Sequence, residues 1–244
     1  MSDDKLKDKW HQIWSSKTLL NSSKIKLEDL IKLNGFNTGV GDYDVETWTA
    51  LINDFTKRVG LTNNKNILEI GCGCGAFLYA CENKVKANYF GIDYSKSLID
   101  TARKVMPNSK FEVGRANSDF FKSTYFDVIV SHSVFHYFPS IDYAYDVIKI
   151  AYKKLNKNGY LCLLDLNDSL FETIYHMDRK LNYKNPKTYE ETYKGLDHLF
   201  FEKSDIKSFM KSIGFGRIKF FPHASEKYGN SKYRFNLLAI KIKN

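Results

Sequence analysis

The stretch Ile67-Leu68-Glu69-Ile70-Gly71-Cys72-Gly73-Cys74-Gly75 constrains the fold more than any other part of the chain. An apolar run that closes on an acidic residue and passes into glycine at every second position reads as a strand, a tight turn and then a helix. The glycines let the main chain reverse sharply and leave no Cβ between it and a ligand. Pyrophosphate cradles favour G-x-G-x-x-G, whose last glycine sits where the helix N-terminus meets the phosphates; here the third glycine comes one residue early. The turn therefore suits a ligand with a cationic amino-acid portion near Glu69 and no phosphate, and S-adenosylmethionine is such a molecule.

A second half of the same fingerprint lies one helix and one strand further on, in Tyr89-Phe90-Gly91-Ile92-Asp93-Tyr94-Ser95. In a right-handed βαβ unit Asp93 reaches the carboxyl end of the neighbouring strand, where a carboxylate can accept both ribose hydroxyls. Ser95 is placed to cap the next helix, with Leu98, Ile99, Ala102 and Val105 on its apolar face.

In these motifs the chain resembles the class I S-adenosylmethionine-dependent methyltransferases, over roughly residues 45–242. The later strands Phe126-Asp127-Val128-Ile129-Val130-Ser131 and Gly159-Tyr160-Leu161-Cys162-Leu163-Leu164-Asp165 follow in the family's order. The resemblance implies that Gly71, Cys72, Gly73 and Gly75 hold the methionyl part and that Asp93, with Tyr94 beside it, holds the ribose. It also implies that the segment with Ala116 and Asn117 flanks adenine, with Ser131 closing the site. Arg115 stands where the family usually has Asp, which leaves adenine N6 to Asn117 or a backbone carbonyl.

The expected fold class is α/β: a Rossmann-like, seven-stranded, mostly parallel sheet with helices on both faces, an antiparallel last strand and an N-terminal helical cap. Strands are expected near 66–70, 89–93, 110–113, 126–131 and 159–166, with a long helix near 141–156 and a final pair at 217–222 and 235–242. This alternation puts a ligand across the carboxyl ends of strands one and four. Residues 1–60 form the cap or lid, with helices around Leu6 to Thr18 and Val45 to Val59 that carry Trp10, Trp14 and Trp48. The glycine-rich loop from Asn34 to Tyr43 separates them. Residues 61–244 form the methyltransferase domain, interrupted at about 167–201 by an insertion too long for an ordinary connector. Ser204 is read as the cap of a helix closed by Gly214.

With 244 residues, 43% hydrophobic and 15% aromatic, the chain can build a sizeable core. No apolar run is long enough for a signal peptide or a membrane span, so a cytoplasmic protein is expected, as monomer or homodimer. The four cysteines read as small buried fillers, with no metal expected. The net charge of +9 is spread along the chain, so nucleic acid is a disfavoured partner and a small molecule the favoured one.

Methyl transfer from a sulfonium is an in-line displacement, in which alignment alone contributes roughly 7–11 kcal/mol. A neutral acceptor benefits from a base such as His, while an anionic oxygen needs cationic clamps. His132 and His136 follow strand four, and His136, where many family members carry His, is preferred as the site-lining or base residue. Tyr193, Lys194 and His198 form a second cluster, and Asn230, Lys232 and Arg234 a third around a Gly-Asn turn. Phe36 and Tyr43 join them as substrate contacts from the N-terminal loop. These clusters resemble a subgroup of small bacterial methyltransferases that modify polar precursors, including sugar and phosphoramidate groups of surface polysaccharides. The leading expectation is O-methylation of a small, polar, anionic metabolite. An RNA methyltransferase is the alternative enzyme, disfavoured because Ser131-His132-Ser133-Val134 replaces the Asp/Asn-Pro-Pro-aromatic motif of exocyclic-amine enzymes. A non-catalytic cofactor-binding module is the alternative from another class.

Overall fold

The computed structural model describes residues 9–18, 25–37, 42–181 and 194–242. Its strands β1 (Asn66–Ile70), β2 (Asn88–Asp93), β3 (Lys110–Val113), β4 (Phe126–His132), β5 (Leu155–Asn167), β6 (Phe215–Phe221) and β7 (Arg234–Lys241) form one sheet in the order β3-β2-β1-β4-β5-β7-β6. β1 to β5 run parallel, and β7 lies antiparallel between β5 and β6. The expected fold class is the one found.

Period-two alternation sorts the strands' side chains onto two apolar faces. Ile67, Val128, Val130, Cys162 and Leu164 point to one face. Helices α2 (Leu27–Leu33), α3 (Val45–Arg58), α4 (Ala76–Glu82) and α5 (Lys96–Val105) cover that side with Leu30, Trp48, Phe55, Phe77 and Ile99. Leu68, Ile129, Leu161 and Leu163 point to the other, beneath α6 (Ile141–Lys154) and α8 (Lys203–Ile213). Thus α2 and α3 of the N-terminal cap share the core of the sheet. All four cysteines are buried and unpaired in disulfides, and desolvation pushes each thiol up.

The first helix of the described residues, α1, runs over Lys9–Ser15; the expected start at Leu6 lies outside the described residues, and the helix ends at Ser15, three residues before the expected Thr18. Helix α2 falls in a stretch where no helix was expected. Seven residues carry too little periodicity to be read, yet Leu30 and Ile31 are buried and Asp29 accepts the Lys26 N–H at 2.9 Å. The cap of α8 is Glu202, not Ser204: its carboxylate accepts the Ser204 N–H at 3.3 Å, while Gly214 ends the helix at φ 112° as expected. The insertion contains α7 (Glu172–Leu181), on which Ile174, Met177 and Leu181 are exposed, as is Leu170 just before it. Tyr193, the loop tip at 38–41 and residues 182–192 lie outside the described residues. Among the described residues, no helix is long and apolar enough to cross a membrane.

Candidate active site

The strand order reverses between β1 and β4, and the carboxyl ends of the strands at such a switch point are where open α/β sheets bind ligands. Gly71 and Gly73 stand there at φ 75° and 52°, with Gly75 capping α4 at φ 82°. A Cβ on Gly71 would collide with Val134, and one on Gly73 with the Asn34 amide. The turn is braced from β2: Ile92 O accepts from Gly71 N and Cys72 N at 2.8 and 3.1 Å. Asp93 accepts from Gly73 N at 2.9 Å and Ser95 N at 2.8 Å. From α2, Asn34 closes the other side by accepting from Cys74 N at 2.9 Å.

Below the turn, Glu69 is buried and its Oε2 has no hydrogen-bond partner among the described residues. Burial, and the neighbouring Asp93, push its carboxyl well above the ordinary range. A buried polar atom without a partner is costly, and a ligand ammonium would relieve that cost. The bare glycine cradle, the orphaned carboxylate and the strand-end Asp93 fit the methionyl and ribose parts of S-adenosylmethionine, which supplies the electrophilic methyl when bound. Because the ammonium favours the carboxylate form, cofactor binding should release a proton from Glu69. Titration calorimetry in buffers of different ionisation enthalpy measures this directly, and Glu69→Gln should abolish the buffer dependence.

The remaining cofactor candidates occupy distinct places. Ser131 ties β4 to β1 through a 2.8 Å bond from its hydroxyl to Ile70 O. Tyr94 is half-buried, stacked on His11, with its hydroxyl donating to Trp10 O at 3.4 Å. Ala116 is half-buried and Asn117 exposed, its amide oxygen accepting from Tyr143 at 3.0 Å.

Beyond the methionyl end, the exits of β4, β5 and β7 collect a buried polar cluster. His132 is enclosed by Phe36, Tyr43, Trp48 and Phe77, with ring centroids 5.2 to 6.1 Å away. Burial drops its pKa to about 4. His136 is fully buried, 5.0 Å from His198 between ring centroids, and neither of its ring nitrogens has a partner among the described residues. His198 Nδ1 meets Tyr175 Oη at 2.7 Å and Arg179 Nη1 at 3.3 Å. Desolvation first, then nearby positive charge that includes Arg234, holds both imidazoles well below the usual histidine range.

Arg234 opens β7 and is buried against Asp165, with a further 2.9 Å bond from its guanidinium to the Tyr228 hydroxyl. Asp165 also accepts from Ser133 at 2.6 Å and from Tyr228 at 3.1 Å, and stands 3.3 Å from His223. Its burial acts upward, but Arg234 and His223 prevail and hold its carboxyl well below the carboxylate range. Ser133 and Asp165 both have left-handed backbone, φ 58° and 67°, an uncommon state for non-glycine residues that concentrates at functional sites.

The structure thus brings His132, His136, His198, Phe36, Tyr43 and Arg234 into one cluster. Asn230 joins through a 3.3 Å bond from its amide to Tyr228. Lys232 does not join it: its ammonium is exposed and paired with Asp178 at 3.0 Å. Lys194 is exposed too, and its carbonyl accepts from Lys9 at 2.6 Å. Asp165, Tyr228, His223, Ser133 and Asn34 are cluster or turn residues that the sequence reading passed over. Asp165 and Ser133 stand inside strand and post-strand segments quoted above and Asn34 opens the glycine-rich loop, while Tyr228 and His223 carry no flanking signal.

Histidines buried neutral give a sign to acid stability. The unfolded chain takes up protons on these groups below about pH 6.5 while the folded chain resists until about pH 4 for His132. Stability should therefore fall as pH drops across that window, His132 alone contributing about 3 kcal/mol. Urea unfolding at pH 7 and pH 5 checks this, and His132→Phe should flatten the profile.

The switch point, the glycine turn and the strand-end carboxylate define a class I S-adenosylmethionine-dependent methyltransferase. The chain belongs to the methyltransferase-domain family, whose profile matches residues 61–214. Its fold is similar to that of magnesium protoporphyrin IX methyltransferase from Synechocystis PCC 6803 with bound S-adenosylhomocysteine. That likeness has TM-score 0.58 and 15% identity, over 96% of this chain and 93% of the other. It is also similar to the plantazolicin methyltransferase BpumL in complex with S-adenosylhomocysteine, at TM-score 0.61 and 19% identity over 81% and 84% of the two chains. In sequence it is 32% identical over 127 residues to chondramide synthase from Chondromyces crocatus, over 49% of this chain. The match spans only 3% of that synthase's length.

Proposed function

We propose that the chain transfers the methyl group of S-adenosylmethionine to an oxygen of a small, polar, anionic metabolite. The observation that carries this reading is the buried cluster at the exits of β4, β5 and β7. There His132 Nε2, His136 Nδ1 and Nε2, His198 Nε2 and Arg234 Nε all lack hydrogen-bond partners among the described residues. Interior polar groups in such number want a ligand that brings several acceptor oxygens. An anion would also favour protonation of imidazoles that desolvation and positive charge now hold neutral. Because an anionic oxygen is already nucleophilic, alignment and charge complementarity suffice for transfer to it.

Sugar phosphates and phosphoramidates, of the kind used as precursors of surface polysaccharides, are the acceptors to try first. A panel of phosphorylated sugars, carboxylates, amines and unmodified RNA, incubated with methyl-labelled cofactor, tests the reading. Labelled product should arise from an anionic small molecule; turnover confined to amines or to RNA would overturn it.

A further inference from the structure

Lys17 follows α1 and is half-buried, a costly place for an ammonium unless an anion comes to it. Among the described residues it makes no ion pair. Its Nζ lies 4.1 Å from the centroid of the Trp14 ring, and a Cβ on Gly35 would stand 2.9 Å from it. The residue before Gly35 is Asn34, the one that closes the glycine turn by accepting from Cys74 N. The ammonium is therefore held against the cover of the methionyl end. Its main chain is anchored on the ribose side: Ser97 Oγ donates to Lys17 O at 2.9 Å, and Ser95 Oγ to Trp14 O at 3.2 Å. Both serines lie just beyond Asp93. The segment after α1 thus spans from the ribose carboxylate to the glycine turn and presents one cation there.

The amino-acid end of S-adenosylmethionine is a zwitterion. Glu69 offers a buried carboxyl that the ligand ammonium would ionise, but the turn itself offers its carboxylate only backbone. We propose that Lys17 binds the methionyl carboxylate, so that the zwitterion is held between Glu69 on β1 and a cation delivered by the N-terminal segment. Desolvation, which now lowers the Lys17 pKa against the opposing effect of Cys74, would be offset by that carboxylate. The assignment is independent of the acceptor's identity, because it concerns cofactor alone.

Two ligands separate this role from a merely structural one. S-adenosylhomocysteine carries the amino-acid end; 5′-methylthioadenosine keeps the adenosine and the thioether and lacks it. Titration calorimetry of Lys17→Met should show S-adenosylhomocysteine bound about 10- to 100-fold more weakly, the loss expected for one charged hydrogen bond. Affinity for 5′-methylthioadenosine should stay within about twofold, and Lys17→Arg should restore most of the loss. Equal weakening of both ligands would mean that Lys17 only holds the N-terminal segment in place, and unchanged affinity for both would mean that the carboxylate is bound elsewhere; either result overturns the assignment.

Discussion

Arg234→Met is expected to cost about 3–5 kcal/mol of stability, because it leaves the Asp165 carboxylate buried without its cation. The side chains of Arg234 and Asp165 are 4% and 0% exposed, so water cannot take the place of the missing partner. The Ser133 and Tyr228 hydroxyls and His223 would remain around Asp165 but carry no fixed positive charge. Removing both partners, as Asp165→Leu with Arg234→Met, should recover much of the loss, since a buried ion pair replaced by apolar groups is often neutral. The pH dependence has a definite sign. A carboxyl held well below its ordinary value contributes stability that is complete above the unfolded pKa near 3.9, and that contribution fades as pH falls through the folded value. In Arg234→Met the same carboxyl moves upward and takes up its proton sooner, so the gap between variant and wild type should narrow as pH falls from 7 toward 4. Chemical denaturation of the wild type and both variants at pH 7 and pH 4 measures all of this. A loss under about 1 kcal/mol at pH 7 would show that the pair is solvated.

Gly73→Val is expected to weaken binding of S-adenosylhomocysteine by at least about 100-fold while the sheet still folds. At φ 52° a β-branched residue is strongly disfavoured, and the new side chain would enter the space of the Asn34 amide. Displacing Asn34 would release Cys74 N, and shifting Gly73 would release its N–H from Asp93. Three features of the candidate cofactor site would be disturbed by one substitution: the bare backbone, the closure from α2 and the orientation of Asp93. Calorimetry with circular dichroism as a folding control decides it. Retained affinity would mean that the cofactor does not lie against this turn.

The parts of the molecule legible in sequence are those governed by local spacing. Alternating strands and helices, the glycine turn and the acidic strand ends are short-range patterns, and they carry the sheet and its switch point. The buried polar cluster is different, because β7 inserts antiparallel beside β5 and pairs Asn167 with Arg234. That pairing joins segments far apart in sequence, so Asp165 reads only as the end of an apolar strand until Arg234 is laid next to it. His223 and Tyr228 reach the cluster by the same long connection. Asn34 was hidden for another reason: α2 is too short to show periodicity, and its end has meaning only once it packs over Gly73. The basic residues Lys194 and Lys232 lie exposed outside the buried cluster, because charge in sequence says nothing of direction, and the Lys232 ammonium is paired with Asp178 on α7.

The most direct test of the account follows one methyl group. The protein is incubated with S-adenosylmethionine carrying carbon-13 in its methyl, together with the panel of anionic, neutral and nitrogenous acceptors, and the product is read by carbon–proton correlation and mass spectrometry. The account predicts stoichiometric S-adenosylhomocysteine and a labelled methoxy carbon on a small phosphorylated or carboxylated acceptor. Label appearing as an N-methyl or C-methyl group, or only on RNA, would contradict it.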